Sequence, residues 1–270
     1  MWKHIEIGGT SYSGSTTLNL ILGSLPGVIA IGESHWLVDM HEKLRLKHQL
    51  QKKTIFESSD EEYDKAFYQC RLCNNNCTHY TREFRQKLKS GSHTTWHKEL
   101  AQQFKSDIIV TSDKHPDIIR RLDNSLSNAT VVLFKHPYNA WLSYQKRNPS
   151  LSYFIHEYTY AYQRFLYDYV NKGPLIFLQW ERFVDTPEEY LKILCNKLEI
   201  PFDQNALNYW QKKHHYIGGN YNVYDKEESD LILQKITYNS SRHNEFMNAI
   251  TNVSVVDTYK KMTIRGELTK

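Results

Sequence analysis

The stretch from Trp2 to Gly23 constrains the fold of this chain more than any other, because a strand, a tight loop and a helix follow one another without interruption. Residues 4–7 alternate polar and apolar side chains, which is typical of a short strand, and Gly8 and Gly9 are expected to end it. From Thr16 onward the apolar residues fall at helical spacing. The N–H groups at the start of such a helix form an anion site.

The loop of this unit has the spacing of a nucleotide P-loop but lacks its lysine. Residues 9–16 spell G-x-x-x-x-G-S-T, and Ser15 stands where the P-loop pattern has lysine. In a nucleoside triphosphatase that lysine holds the β- and γ-phosphates, so its absence argues against hydrolysis of ATP or GTP. The stretch therefore predicts a phosphate cradle without the triphosphate apparatus.

The sequence S-Y-S-G-S-T-T-L-N-L-I-L-G at 11–23, followed by Pro26 and Gly32-Glu33, resembles the start of sulfotransferases that use 3′-phosphoadenosine 5′-phosphosulfate (PAPS). The resemblance implies an α/β fold with three layers and a mainly parallel central sheet, similar to P-loop kinases. It also implies transfer of a sulfuryl group from PAPS to a hydroxyl, with an amine as the less favoured acceptor. By this resemblance the 5′-phosphosulfate is bound by Tyr12, Ser13, Gly14, Ser15, Thr16 and Thr17.

Chain length and net charge limit the number of domains and the kinds of partner that we expect. A chain of 270 residues and 32.0 kDa fits one domain over 1–270, with a poorly patterned stretch of about 40–105 as a helical insertion. The net charge of +4 and the pI near 8.7 suit an anionic co-substrate and are too small and dispersed to indicate nucleic acid. The first 30 residues lack a signal-peptide pattern and no 18-residue apolar run occurs, so we expect a cytoplasmic protein without a membrane span.

Two further strands are predicted to deliver charged residues to the edge that carries the phosphate loop. A short apolar run at 28–31 ends at Gly32-Glu33, and a β-branched run at 107–113 ends at Lys114. Ligands bind at the carboxyl ends of the strands in open parallel sheets. Both charged residues also have ordinary explanations, as a carboxylate in a first helical turn and as a solvated surface lysine.

The family resemblance gives these two residues roles. Glu33 corresponds to the general base that takes the proton of the acceptor hydroxyl, with His35 and His115 as alternative bases. The D-K-x-P segment at 113–116 is similar to one in the family, and Lys114 in it could stabilise charge on the transferring sulfuryl group. Each of these assignments is an expectation.

The run at 129–134 is the clearest central strand, because it is apolar throughout and lies between polar turns. It leads into K-H-P, where the family has R-x-P followed by a serine eight residues after the arginine. Lys135 and Ser143 keep that spacing, and the resemblance assigns both to the 3′-phosphate of PAPS. Lysine offers a point charge where arginine would make a bidentate contact. Tyr12 is a second departure, because many relatives have lysine or arginine there.

Later segments also match the family in order. A helix is predicted over 153–170, a strand over 175–180, and further helices over 225–270. The W-E-R-F pattern that follows Leu178-Gln179 matches a family pattern that carries fold information, and we expect little chemistry from it. A loop at 214–221 resembles the family's H-x-x-x-G-N, which implies that Gly219 and Asn220 approach the adenosine.

Residues 70–79 spell C-R-L-C-N-N-N-C-T-H, and Cys70, Cys73, Cys77 and His79 are four potential zinc ligands. Structural zinc sites usually pair two separated ligand segments, whereas these four groups fall within ten residues. Reduced thiols or a local disulfide are the alternatives, and we assign no metal from the sequence. Cys195, on a later helix, reads as a core residue.

The sequence therefore predicts a sulfotransferase that uses PAPS and needs no metal for the transfer. The acceptor is expected to be a small metabolite or a carbohydrate, because the chain has 19 tyrosines, some of which can line a binding surface. Two other functions stay open: a nucleoside or small-molecule kinase, and a non-catalytic nucleotide-binding protein of the same fold. The oligomeric state is open as well.

Overall fold

A computed structural model describes residues 3–37, 70–73, 76–81, 83–84, 87, 93–121, 129–146, 149–169, 173–220, 223 and 251–267. The strands are β1 (Lys3–Gly9), β2 (Val28–Gly32), β3 (Ile108–Lys114), β4 (Ala129–Phe134) and β5 (Leu175–Gln179). The α-helices are α1 (Ser15–Gly23), α2 (His93–Phe104), α3 (Pro116–Arg121), α4 (Pro137–Tyr144), α5 (Leu151–Gln163), α6 (Trp180–Asp185), α7 (Pro187–Leu198) and α8 (Val253–Glu267). Short 3₁₀ turns cover Ser34–Leu37 and Gln204–Gln211.

The five strands form one parallel sheet in the order β2-β3-β1-β4-β5. Strand β1 lies in the middle, with Ile5 opposite Val110 of β3 and Ala129 of β4. Parallel strands need crossover connections, and helices supply them here. The predicted α/β class with a parallel central sheet is confirmed.

The side chains of β4 show why the sheet is covered on both faces. All six residues of β4 are buried, and alternate residues point to opposite faces. Val131 and Leu133 pack in a core that includes α1 and α7, while Val132 and Phe134 pack in a second core with α4, α5 and α8. A strand that is apolar on both faces is the expected centre of a three-layer α/β domain.

Two predicted boundaries were wrong. Gly8 and Gly9 continue β1, since they pair with Val132 and Leu133 of β4 and keep their place in the ladder. The helix predicted over 153–170 is α5 followed by a π-helical turn at Arg164–Asp168. The wider turn accompanies the packing of Phe165 on Gly8, where a Cβ atom would lie 2.5 Å from the Phe165 ring.

Other predictions fall partly outside the described residues. Of the insertion predicted over 40–105, residues 38–69 are not described, whereas α2 and the cysteine turn at 70–73 and 76–80 are. In the tail, α8 confirms one of the predicted helices, and residues 224–250 lie outside the description. Among the described residues, no helix combines the length and apolar character that crossing a bilayer requires.

The central position of β1 leads to a stability prediction. Ile7 is 0% exposed in the core beside α1, whereas Ile264 on α8 is 56% exposed. We expect Ile7→Ala to lower the free energy of unfolding by about 2–5 kcal/mol, because it removes buried methyl groups and leaves a cavity. The same change at Ile264 should alter it by no more than about 0.5 kcal/mol. Urea denaturation measures both, and equal losses would contradict the assignment of β1 to the core.

Candidate functional site

The loop between β1 and α1 has the geometry of an anion site. Gly14 precedes α1 with φ 100°, and no side chain of the described residues caps the helix. The first N–H groups of α1 are therefore directed into the loop, together with the positive end of the helix dipole. The Ser13 hydroxyl is buried and has no hydrogen-bond partner among the described residues. An anion in the loop would supply the acceptors that these donors lack.

Trp180 forms a wall of this loop. It is the first residue of α6, directly after the carboxyl end of β5. A Cβ atom on Gly14 would lie 2.8 Å from the Trp180 indole, so only glycine allows the loop to come this close. The Nζ atom of Lys135 lies 6.0 Å from the centre of the same indole. Trp180 therefore lies between the phosphate loop and Lys135 at the end of β4. The sequence pattern W-E-R-F does not indicate this position.

Lys135 and Ser143 come together as the spacing predicted. Lys135 follows β4 and Ser143 lies on the returning helix α4, and the Lys135 Nζ donates to the Ser143 Oγ at 3.4 Å. The pKa of Lys135 is lowered to about 8, mainly by burial and also by the nearby Lys146, although Glu181 acts in the opposite direction. A lysine whose charge is so poorly solvated gains from an anionic partner.

Glu181 holds the turn on which Lys135 lies. Its carboxylate accepts hydrogen bonds from the His136 backbone N–H at 2.9 Å and from the Asn139 side chain at 2.7 Å. Both donors lie directly after β4, where the chain turns into α4. The turn is therefore fixed by a carboxylate from the neighbouring β5–α6 connection, a contact that no local sequence pattern indicates.

Glu33 and Lys114 also meet. Glu33 follows β2 and Lys114 ends β3, and their side chains form a largely buried ion pair. Lys114 has φ 66°, which turns the chain sharply at the end of the strand. The structure thus brings together the two residues that the family resemblance named for proton transfer and charge stabilisation.

Asp113 fixes the segment that follows Glu33. Its carboxylate accepts from the Ser34 hydroxyl at 2.6 Å and from the His35 backbone N–H at 2.6 Å, and it lies 2.8 Å from the Nδ1 of His35. His115, the third predicted base, contacts other groups: it stacks on Tyr160 at 5.8 Å between ring centres, and its Nδ1 accepts from the Asp117 N–H at 3.4 Å. The His115 backbone N–H also donates to the Asp113 carbonyl at 2.8 Å, but of the two alternatives only the His35 ring contacts the Asp113 carboxylate.

The loop that contains Gly219 and Asn220 lies against both parts of the site. Ile217 forms a parallel bridge with Gly32, and the Glu33 N–H donates to the Ile217 carbonyl at 2.8 Å. Further along, the Asn220 N–H donates to the Thr16 hydroxyl at 3.2 Å. This loop is therefore in contact with the phosphate loop, while the predicted approach of Gly219 and Asn220 to adenosine stays a prediction.

The three thiols of the cysteine turn lie close together, and the histidine beside them is His215, whereas the sequence pattern had pointed to His79. The Sγ atoms of Cys70, Cys73 and Cys77 and a ring nitrogen of His215 all lie within 4.8 Å of one another. His79 is not in this group, and its ring instead stacks between Phe104 and His215. His215, and not the sequence neighbour His79, joins the three thiols because residues 212–220 pack against the cysteine turn. All four cysteines of the chain are described, and none forms a disulfide.

The model of the Sulfotransferase family matches residues 5–204 of the chain. The chain belongs to the sulfotransferase family. Two solved structures share its fold. The sulfotransferase domain from the curacin biosynthetic pathway is 18% identical, with a TM-score of 0.61 over 97% of this chain and 98% of that domain. The sulfotransferase domain from the olefin synthase of Synechococcus PCC 7002 is 17% identical, with a TM-score of 0.57 over 98% of this chain and 94% of that domain. No curated protein gives a significant sequence match.

Most of the candidate site lies within the residues that the family model matches. Residues 5–204 include the phosphate loop, Glu33, Lys114 and the Lys135–Ser143 pair. The loop at 212–220, with His215 and Asn220, follows the matched residues. The structure nevertheless places that loop at the same edge of the sheet, through its bridge to Gly32.

The contact between Gly14 and Trp180 gives a testable result. Gly27, with φ 70° and nothing within 4 Å of a built Cβ, is the matched control for Gly14, with φ 100°. We expect Gly27→Ala to cost about 1 kcal/mol of unfolding free energy from backbone strain alone. Gly14→Ala should cost at least about 1 kcal/mol more, because its methyl group overlaps the indole.

A double-mutant cycle identifies the cause. In a Trp180→Ala background the extra cost of Gly14→Ala should disappear, whereas Gly27→Ala should cost the same in both backgrounds. Chemical denaturation of the four variants and their parents measures these differences. Equal costs for Gly14→Ala with and without the indole would show that Trp180 does not confine the loop.

Proposed function

We propose that this sulfotransferase moves a sulfuryl group from PAPS to a hydroxyl of a small metabolite or carbohydrate, with an amine as the second candidate acceptor. The observation that supports the proposal is that two groups of potential anion ligands lie at one sheet edge. One is the N-terminus of α1 and the other is the Lys135–Ser143 pair, and Trp180 contacts the first and flanks the second. PAPS has two separated anionic groups, and an adenosine that joins them suits such a pair.

The residues present suit each anionic group. The Ser13 hydroxyl and the first N–H groups of α1, which have no side-chain partners among the described residues, offer donors to a 5′-phosphosulfate. Lys135 and Ser143 offer a cation and a hydroxyl to a 3′-phosphate. Ser15 is 2% exposed at the start of α1 and has no charge to give to a γ-phosphate, which favours PAPS over ATP.

The proposed chemistry uses the Glu33–Lys114 pair. The acceptor oxygen attacks sulfur, the bond from sulfur to the bridging phosphate oxygen breaks, and 3′,5′-bisphosphoadenosine leaves. Glu33 accepts the proton of the acceptor hydroxyl, and Lys114 stabilises negative charge on the sulfuryl or bridging oxygens. The loop and Lys135 hold the donor in line, which is the main requirement of such a transfer.

His35 is the second candidate base, and a specific contact favours it. If its Nδ1 carries a proton, that proton is donated to the Asp113 carboxylate at 2.8 Å, and the Nε2 is then the acceptor nitrogen of the ring. The same carboxylate holds the His35 backbone, so the ring has a fixed position beside the Glu33 segment. Glu33 and His35 can therefore be compared by substitution.

Aromatic rings near the loop support a small, ring-shaped acceptor. Tyr12 packs edge-on against Tyr144 at 6.0 Å, and Tyr144 stacks on Tyr153 at 6.2 Å. Tyr153 is 49% exposed, so the series leads from the phosphate loop to the surface. Aromatic faces of this kind bind the apolar faces of sugars and of other rings.

Nucleotide binding tests the proposed function. Titration calorimetry should show tighter binding of 3′,5′-bisphosphoadenosine than of adenosine 5′-monophosphate or Mg²⁺-ATP. Lys135→Ala should weaken binding of the bisphosphate about 10- to 100-fold, because it removes a charged contact, and should leave the monophosphate unchanged. Tighter binding of Mg²⁺-ATP would favour a kinase. Binding without turnover of PAPS over a broad panel of acceptors would favour a non-catalytic nucleotide-binding protein.

The lowered pKa of Lys135 makes this binding depend on pH. Below its pKa of about 8 the side chain is protonated and can pair with the 3′-phosphate. Above pH 8 the unbound protein loses that proton, so the affinity should fall by up to about tenfold per pH unit, as one proton must be taken up on binding. Lys135→Arg is the control, because arginine stays charged and its profile should be flat from pH 7 to about pH 9.5. A flat wild-type profile would show that the pKa of Lys135 is not lowered, and a flat profile with unchanged binding in Lys135→Ala would remove Lys135 from the phosphate site.

Turnover of the two base variants assigns proton transfer. With an acceptor found by screening hydroxyl compounds against PAPS, Glu33→Gln should lower kcat by about 10²–10⁴-fold while the affinity for bisphosphoadenosine stays within about threefold. His35→Gln should lower kcat less, as the positioning contact to Asp113 is lost but the base remains. The reverse order of the two effects would transfer the role to His35.

A further inference from the structure

Three cysteines and one histidine from distant parts of the chain form a compact group beside the proposed active site. The Cys77 Sγ lies 3.1 Å and the Cys73 Sγ 3.5 Å from the His215 Nδ1, and Cys70 completes the group. The four potential ligand atoms lie within 4.8 Å of one another. We refer to these four residues as the Cys₃His group.

We propose that the Cys₃His group binds one Zn²⁺ ion that holds the loop at 212–220 in place. Three cysteines and one histidine are a common ligand set of structural zinc sites, which are tetrahedral and closed. At zinc–sulfur distances of about 2.3 Å and zinc–nitrogen distances of about 2.0–2.1 Å, tetrahedral ligand atoms lie about 3.5–3.8 Å apart. The separations in the Cys₃His group bracket these values, so small side-chain movements suffice.

The ligands of the Cys₃His group come from two separated segments of the chain. With His79 as the fourth ligand, all four groups would come from ten consecutive residues. With His215, the site instead joins two segments that lie 138 residues apart between Cys77 and His215. Two separated ligand segments are the usual construction of a structural zinc site.

Contacts around the group suit a bound metal. The Tyr80 N–H donates to the Cys77 Sγ at 3.3 Å, which is the kind of hydrogen bond that supports a metal-bound thiolate. The Arg71 N–H donates to the Tyr216 carbonyl at 2.8 Å, so the backbone already pairs the two ligand segments. His79 and Phe104 cover the His215 side, with ring centres at 4.2 Å between the two histidines.

Cys70 and Cys77 are buried, which limits access of solvent and oxidants to the thiols. Binding of Zn²⁺ would release the three thiol protons to solvent. A disulfide is a poor alternative at this place, because pairing two of three adjacent thiols leaves the third without a partner. The metal also explains why a histidine from outside the cysteine turn points its Nδ1 at two of the thiols.

The metal would position the proposed active site without touching the substrates. His215 is two residues before Ile217, which bridges Gly32 and accepts the hydrogen bond of the Glu33 N–H. Five residues after His215, Asn220 contacts Thr16 of the phosphate loop. This consequence rests on the proposed function, whereas metal binding itself does not.

Metal content tests the site directly. Protein purified under reducing conditions without chelator should hold one zinc per chain by inductively coupled plasma mass spectrometry. Cys73→Ser and His215→Ala should each lose most of it. Cys195→Ala, which removes the buried thiol outside the group, and His79→Ala, which removes the neighbouring imidazole, should both keep a full equivalent. Zinc retained in Cys73→Ser and His215→Ala, or lost only in His79→Ala, would overturn the ligand set.

A measurement on the unaltered chain covers the case in which variants fail to fold. Exchange of zinc for Co²⁺ should give the intense visible absorption of a tetrahedral cobalt site together with thiolate-to-cobalt charge transfer in the near ultraviolet. Absence of bound metal would overturn the proposal. An intact mass that is lower by two hydrogens and is restored by reductant would show that a disulfide forms instead. If bisphosphoadenosine binds equally well with and without zinc, the positioning role fails while the metal site and the proposed function both stand.

Discussion

Parallel pairing of β1 with both β3 and β4 is the constraint on which the candidate site depends. Because all five strands run in one direction, their carboxyl ends share one edge, and the residue that follows each strand lies there. Thr10 opens the phosphate loop after β1, Glu33 follows β2, Lys135 follows β4 and Trp180 follows β5. The sheet needs to specify only strand order and direction to gather these groups. Loops then set the distances between them.

Buried polar residues of β1 and β3 form a hydrogen-bonded series, the polar line, that connects this edge to the middle of the sheet. Glu6, 1% exposed in β1, accepts hydrogen bonds from the Thr111 hydroxyl and, at 2.8 Å, from the Asp113 N–H. Burial and the nearby Asp113 raise the pKa of Glu6 well above its usual range. Such a group is tolerated because hydrogen bonds offset part of its desolvation. Asp113 in turn holds Ser34 and His35, so the polar line and the Glu33 segment are one network. The β1–β3 register also shifts between Glu6 and Gly8, as expected where a strand end is redirected toward a site.

The sequence could predict what depends on local pattern. Apolar runs predicted the strands, and the G-x-x-x-x-G spacing predicted the loop. The family resemblance, carried by an eight-residue spacing, implied the Lys135–Ser143 pair, which the structure brings within 3.4 Å. The sequence could not predict contacts that tertiary packing creates. Trp180 reaches Gly14 only because β5 is the neighbour of β4, and His215 reaches the cysteine turn only because its loop returns across β2. Nothing in ten residues around Cys77 indicates a ligand 138 residues away.

That returning loop needs more than its own backbone to stay in place. Among the described residues, its pairing with the sheet is the bridge at Gly32, where φ is 91° and a built Cβ would overlap the Ile217 carbonyl. The Ile217 N–H donates to the Ile31 carbonyl at 2.9 Å, and the Ile217 carbonyl accepts from the Glu33 N–H at 2.8 Å. These bonds offset only part of the entropy of ordering a loop, and the buried side chains of Tyr216 and Ile217 add to them. Lys212 adds a hydrogen bond to the Gly23 carbonyl at 2.8 Å at the start of the loop, and Asn220 adds one to Thr16 at its end. The Cys₃His group lies beside the middle of the loop, where Tyr216 and Ile217 are buried and their backbone groups are hydrogen-bonded. A metal there would add a link between the loop and the cysteine turn, next to the backbone partner of Glu33.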